Sequence, residues 1–233
     1  MRIGIIGAMD EEIHSMKHVF DFYGQCLYAQ TTFYEGTYFD QEVVLCKSGV
    51  GKVNAAIAAQ LLVDRFQVTH IIFTGVAGAV DPSLDIGDIV ISTSAIQHDM
   101  DASKLSAQYP QGTIPMFDHP SDFIANEHLI QLADDAAQSL GDVAVVRGRI
   151  LSGDQFIADG ELVATYHEQF QGSCIEMEGA AVAQVCYLNE IPFVIVRSIS
   201  DKANSEATVN FTEFTKLAAQ RSSHIVEEMI KKL

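Results

Sequence analysis

Residues 174–201 constrain the fold more than any other part of the chain, because they set Glu176, Glu178, Arg197 and Asp201 within otherwise apolar sequence. Residues 175–178 read as the end of a buried strand that turns at Gly179 into a helix. That helix is apolar almost all round, carrying Ala180, Ala181, Val182, Ala183, Val185, Cys186 and Leu188, and so is expected inside the protein. Pro192 stops it. Residues 193–199 are then a continuous apolar run broken only by Arg197 and Ser198, the pattern of a strand covered on both faces. Asp201 falls at the carboxyl end of that strand, where open α/β sheets bind their ligands. Charges in such surroundings cost several kcal/mol unless they pair or hold a ligand. A structural ion pair between Arg197 and one of the glutamates is the plainer reading; a binding site is the other.

The rest of the chain alternates strands with helices. Residues 2–6 form a first buried strand, and a Gly7, Ala8, Met9 turn leads into a helix beginning near Asp10. Residues 31–39 and 42–47 read as a hairpin across Asp40 and Gln41. A helix from Lys52 carries Val53, Ile57, Leu61 and Leu62, and residues 70–73 form a short strand ending in the small-residue turn 74–78. Such a turn lets a ligand approach the backbone. Residues 89–92 and 94–97 read as strands, 126–140 as an amphipathic helix, and 143–151 as a strand followed by Ser152, Gly153, Asp154, Gln155, Phe156 and Ile157. The last helix is expected from Asn210, with Glu213 completing a capping pair. This order predicts one domain, 1–233, of the α/β class: a three-layer α/β/α arrangement around a mixed sheet. Residues 99–122 are too long and irregular for a plain connection, and suggest a lid or an interface.

Several function classes are excluded. Fourteen Lys plus Arg against 31 Asp plus Glu give a net charge of −17, which argues against nucleic acid or an anionic membrane surface as partner. No apolar run is long enough to span a bilayer. The turn after the first strand lacks the three spaced glycines of a dinucleotide site, and the sequence around Gly49, Gly51 and Lys52 lacks the spacing of a phosphate-binding loop. Cys26, Cys46, Cys174 and Cys186 have no paired spacing and read as reduced, in a cytoplasmic protein. His98, Asp99 and Asp101 cluster without a second ligand pair, so no metal and no cofactor is expected.

The wording of the central stretch, together with residues 4–12, 47–54, 74–78, 87–90 and 152–157, resembles the nucleoside phosphorylase and nucleosidase superfamily, and within it the 5′-methylthioadenosine/S-adenosylhomocysteine nucleosidases. The resemblance covers nearly the whole chain. It implies a mixed sheet curling toward a barrel, a small-molecule nucleoside as substrate, hydrolysis of the N-glycosidic bond, and a homodimer in which each pocket is completed by the neighbour. Leu105 stands at the place of that neighbour contribution, where many relatives carry aromatics; Ala107 departs likewise. Val76 stands where relatives often place a serine.

The resemblance also implies roles. Cleaving the bond makes a cationic, oxocarbenium-like ribose and an adenine anion that leaves poorly unless protonated. Asp201 matches the acid that would protonate adenine N7, its pKa raised by an apolar site, and Glu12 matches the base that activates water. A solvated helix-start glutamate is the alternative for Glu12. Glu178 would accept both ribose hydroxyls, with Glu176 and Met177 beside it and Arg197 positioning Glu178 or touching the ribose site. Phe156 would stack on adenine while the Ile157 backbone reads its edge, Gly78 would leave room near the base, and Met9, Val50 and Phe211 would line a slot for the 5′-thioalkyl group. Core packing is the ordinary alternative for those apolar residues. A phosphorylase and a non-catalytic nucleoside-binding module are the competing functions.

Overall fold

A computed structural model describes residues 1–141 and 143–233. Its strands are β1 (Arg2–Gly7), β2 (Asp21–Tyr28), β3 (Thr31–Tyr38), β4 (Gln41–Lys47), β5 (His70–Ala79), β6 (Ile89–Gln97), β7 (Asp122–Ile124), β8 (Val145–Ser152), β9 (Gly172–Glu176) and β10 (Phe193–Asp201). Its α-helices are α1 (Asp10–Val19), α2 (Lys52–Phe66), α3 (Glu127–Ala137), α4 (Gly160–Phe170), α5 (Gly179–Leu188) and α6 (Ala207–Ile230).

Five strands close on themselves: β5 pairs with β10, β10 with β6, β6 with β8, β8 with β9, and β9 back with β5. The mixed sheet continues from β5 through β1, β4, β3 and β2. Closure removes the free edges that a short sheet would leave unpaired. One group of helices, α1, α3 and α6, packs together, and α2 packs against α5 in a second group, so the mixed sheet and flanking helices agree with the expected α/β class and barrel-like sheet. Ile3, Ile5, Leu45, Ile71, Phe73, Ile91, Val194 and Val196 form the centre of the main core, each fully buried.

Several boundaries differ from expectation, for local reasons. The two strands expected at 89–92 and 94–97 are one, β6, with a bulge where its pairing to β8 shifts between Ser92 and Ser94. The helix expected over 126–140 ends at Ala137 and tightens into a 3₁₀ turn over Gln138–Leu140. Helix α6 begins at Ala207, not Asn210, without a side-chain cap, and Leu217 on it is 44% exposed. In α2 the buried positions are Ala55, Ala58, Ala59, Leu62 and Phe66, whereas Val53 and Ile57 face solvent. In α5 the first two turns are interior, but Leu188 is exposed. Strand β2 and helix α4 carry no strong pattern and were not expected. Within 99–121, Ile114 and Phe117 pack on the core while Leu105 and Met116 remain exposed.

Candidate active site

The carboxyl ends of β1, β5, β9 and β10 meet at a cavity of about 300 Å³ whose wall includes Glu12, Glu176, Glu178 and Asp201 among apolar side chains. Those side chains are Met9, Val50, Val76, Phe156, Ile175, Met177 and Phe211.

Glu12 lies in the first turn of α1 and is only 3% exposed, which overturns the solvated alternative. Its Oε2 accepts the backbone N–H groups of Ala8 (2.6 Å) and Met9 (3.0 Å), and its Oε1 accepts that of Val76 (3.0 Å). The carboxylate therefore caps its own helix and ties it to β5. Room for it comes from Gly75, where a Cβ would lie 2.5 Å from Glu12 Oε1. Burial raises its pKa, opposed by the Arg197 charge and the three amides.

Asp201, at the end of β10, is held in the same way. Its Oδ1 accepts the Ala203 amide at 2.8 Å and its Oδ2 the Ser200 hydroxyl at 2.9 Å. Across the ladder stands Gly78, whose missing Cβ would lie 2.9 Å from Asp201 Oδ1. Burial raises the Asp201 pKa against those two donors. The small residues expected to turn at 74–78 instead continue β5 to Ala79, and there make room for the two acids as well as for the cavity.

Glu176 and Glu178 have different fates. Glu176 accepts from Arg197 Nη2 (2.5 Å), from the Ser152 hydroxyl, and from the amides of Gly179 (2.8 and 2.9 Å to its two oxygens) and Glu178 (3.2 Å). Its acceptor capacity is largely spent at the start of α5. Arg197 is 1% exposed, lies over the Phe73 ring at 4.0 Å and does not line the cavity. The expectation that Arg197 holds Glu178 or reaches a ligand is corrected: Glu176, at the end of β9 on the other side of β5 from β10, takes it and would otherwise be an uncompensated buried charge. Glu178 keeps its side chain toward the cavity with one donor, the Gly51 amide at 2.7 Å from Oε1. Burial, and then the Glu176 charge, push its pKa up to about 8.

Phe156 is half exposed at the rim and meets Phe211 edge to face, centroids 5.6 Å apart. Ile157 does not touch the main cavity; it lines an adjoining recess of about 30 Å³ together with Gly78, Gln155, Met177 and Asp201. Met9 and Phe211 pack beside Val76, Ala218 and Ala219. Val76 contributes its amide to Glu12, and the hydroxyl next to Asp201 belongs to Ser200. Leu105 lines no part of this subunit's cavity and is 63% exposed. Sequence reading missed the Gly51 amide and the Ser152 and Ser200 hydroxyls. Only Ser200 left a signal, as a hydroxyl adjacent to the acid.

Fold and site together define an α/β barrel protein with a carboxylate-lined, largely apolar cavity at its strand ends. The chain belongs to the phosphorylase superfamily, whose model matches residues 2–231. It is 43% identical over 232 residues to the 5′-methylthioadenosine/S-adenosylhomocysteine nucleosidase of Bacillus pumilus, covering 99% of each chain. Among solved structures it is similar to that nucleosidase from Neisseria meningitidis in complex with methylthio-immucillin-A, with TM-score 0.94, 37% identity and coverage of 100% of this chain and 99% of the other. It is also similar to futalosine hydrolase of Helicobacter pylori, with TM-score 0.94, 33% identity and coverage of 100% and 98%.

Proposed function

We propose that the chain hydrolyses the N-glycosidic bond of 5′-methylthioadenosine and S-adenosylhomocysteine, releasing adenine and the 5-thio-substituted ribose. The observation that carries this reading is the cavity wall, with four carboxylates and, among the described residues, no lysine, arginine or histidine. A phosphorylase must gather a phosphate anion, and this wall offers no cation to hold one, whereas water needs none and a cationic ribose is favoured.

In this mechanism Asp201, whose burial favours its protonated form, donates to adenine N7; the base lies in the cavity between Asp201 and Phe156, its edge toward the recess of the Ile157 loop. Glu12 takes a proton from the attacking water, its three amide donors fixing the oxygens in place. Glu12 and Asp201 line the same cavity, as an acid and a base acting on opposite sides of one bond must. Glu178, ionised on binding, accepts the ribose hydroxyls, Met177 lies along the sugar, Phe156 covers the base, and Met9, Val50 and Phe211 receive the 5′-thioalkyl group.

A homodimer completes the proposal. Val53 and Ile57 on α2 and Leu188 on α5, two helices that pack side by side, are exposed apolar residues, as are Leu105 and Met116. Such a surface suits a second copy. Among the described residues no helix is long and apolar enough to cross a membrane. The four free cysteines suit a reducing, cytoplasmic setting, and the proposed reaction would serve methionine salvage and removal of methyl-cycle by-products. The test is incubation with methylthioadenosine in phosphate-free buffer: adenine release supports the reading, whereas binding without release would leave only a nucleoside-binding module.

A further inference from the structure

Behind the cavity, three charged residues form one closed network that the proposed chemistry does not use. Asp99 follows β6, and its two carboxylate oxygens hold different loops: Oδ1 takes the Lys52 ammonium at 2.6 Å, and Oδ2 takes the Asp154 amide at 2.9 Å. Asp154 returns the connection, its Oδ1 accepting the Lys52 amide at 2.8 Å. Lys52 Nζ also reaches Gln97 Oε1 at 3.1 Å. Asp154 thereby supplies the start of α2 with the side-chain acceptor that Gly51, at the N-cap, does not have. Next to Asp99, the His98 ring is fully buried against Tyr166, its nitrogens without partners among the described residues, and burial lowers its pKa. A neutral imidazole leaves the Asp99 charge to Lys52.

The network touches neither the cavity nor its recess, yet it adjoins the cavity on two sides. One residue before Lys52 is Gly51, the hydrogen-bond donor to Glu178, and before that is Val50 in the wall. Two residues after Asp154 is Phe156, and next is Ile157 in the recess. An exposed ion pair contributes little. This one is mostly buried, with side chains 16% and 22% exposed, and is reinforced by two carboxylate–amide bonds, each charge-assisted.

We propose that Lys52, Asp99 and Asp154 are positioning residues that strap loop 49–52 to loop 153–157. The strap holds the Glu178 donor and Phe156 at their working separation before ligand enters. This inference rests on the nucleoside reading of the cavity.

The test compares Asp99→Asn, Lys52→Met and their double variant with wild type, using steady-state kinetics on methylthioadenosine, adenine binding by calorimetry, and amide hydrogen exchange without ligand. Each single variant is expected to raise KM and the adenine Kd about tenfold while kcat changes little, as for other residues that support a site from behind. The double variant is expected to be no worse than either single one, since one unit has been broken. Asp99→Glu, which keeps the charge, should recover part of the loss. Exchange should quicken in both loops together. Unchanged KM with a lowered melting temperature would reduce the network to a structural role, and additive effects, or exchange that quickens in one loop only, would equally overturn the strap. A wild-type protein that releases no adenine would refute the nucleosidase reading instead; the strap would then stand or fall on the exchange result.

Discussion

Glu178→Gln separates the cost of the site from its use. In the folded chain burial and the neighbouring Glu176 hold the Glu178 carboxyl protonated up to about 8, against an ordinary value of 4.5. The folded state therefore binds a proton that the unfolded chain releases, and the associated stability is fully present below about 4.5 and lost as pH rises toward 8. A difference of that size corresponds to roughly 4 to 5 kcal/mol between the ends of the window, at about 1.4 kcal/mol for each tenfold change in proton affinity. Glutamine has the shape of the protonated acid, can still accept the Gly51 amide and cannot ionise. At pH 5 the variant and wild type should melt at nearly the same temperature. At pH 8.5 the variant should melt higher, by roughly 10 °C or more for a chain of this length, while its KM for methylthioadenosine rises because the ribose acceptor is gone. Calorimetric melts at the two pH values, at one protein concentration, make the measurement. A variant less stable than wild type at pH 8.5, or a difference independent of pH, would refute the account of a desolvated carboxylate kept for binding.

Asp201→Asn keeps size and hydrogen bonding but has no proton to give adenine; turnover should fall by roughly 10² or more, with ligand binding retained, as followed by adenine absorbance and calorimetry. Glu12→Gln should lose hydrolysis to a similar or greater degree while still binding adenine, and near wild-type turnover would remove it from the mechanism. Leu105→Asp should loosen the dimer in sedimentation or raise KM for methylthioadenosine, because a charge would enter an apolar contact at a cost of a few kcal/mol; a fully active monomer would end the dimer proposal.

The parts of the fold legible in the sequence were those whose pattern has one physical cause. The apolar run of β10, interrupted by Arg197 and Ser198, reads as a strand covered on both faces, and every residue of the strand is buried. Helix α3 was legible because Leu129, Leu132, Ala133 and Ala136 fall on one face and all are buried. Helix α4 was not, since only Val163, Tyr166 and Phe170 are buried while Leu162 and Ala164 lie off that face and blur its period. Val53 and Ile57 show the limit of reading apolar spacing as core: α2 turns Ala55, Ala58 and Ala59 inward with Leu62 and Phe66, packs on α5, and leaves Val53 and Ile57 outward. In the site, the carboxylates announced themselves by type and setting. Which of Glu176 and Glu178 would take Arg197 was not legible, because it is decided by how β9 and β10 close on either side of β5. The Gly51 amide and the strap around Asp99 join residues 47 to 127 positions apart, a distance no local pattern spans.

The central claim is that water, not phosphate, receives the ribose. It is tested most directly by identifying the sugar formed from methylthioadenosine in the presence of excess inorganic phosphate. Free 5-methylthioribose with adenine is expected, at a rate unchanged by phosphate. Accumulation of 5-methylthioribose 1-phosphate, or cleavage that requires phosphate, would contradict it.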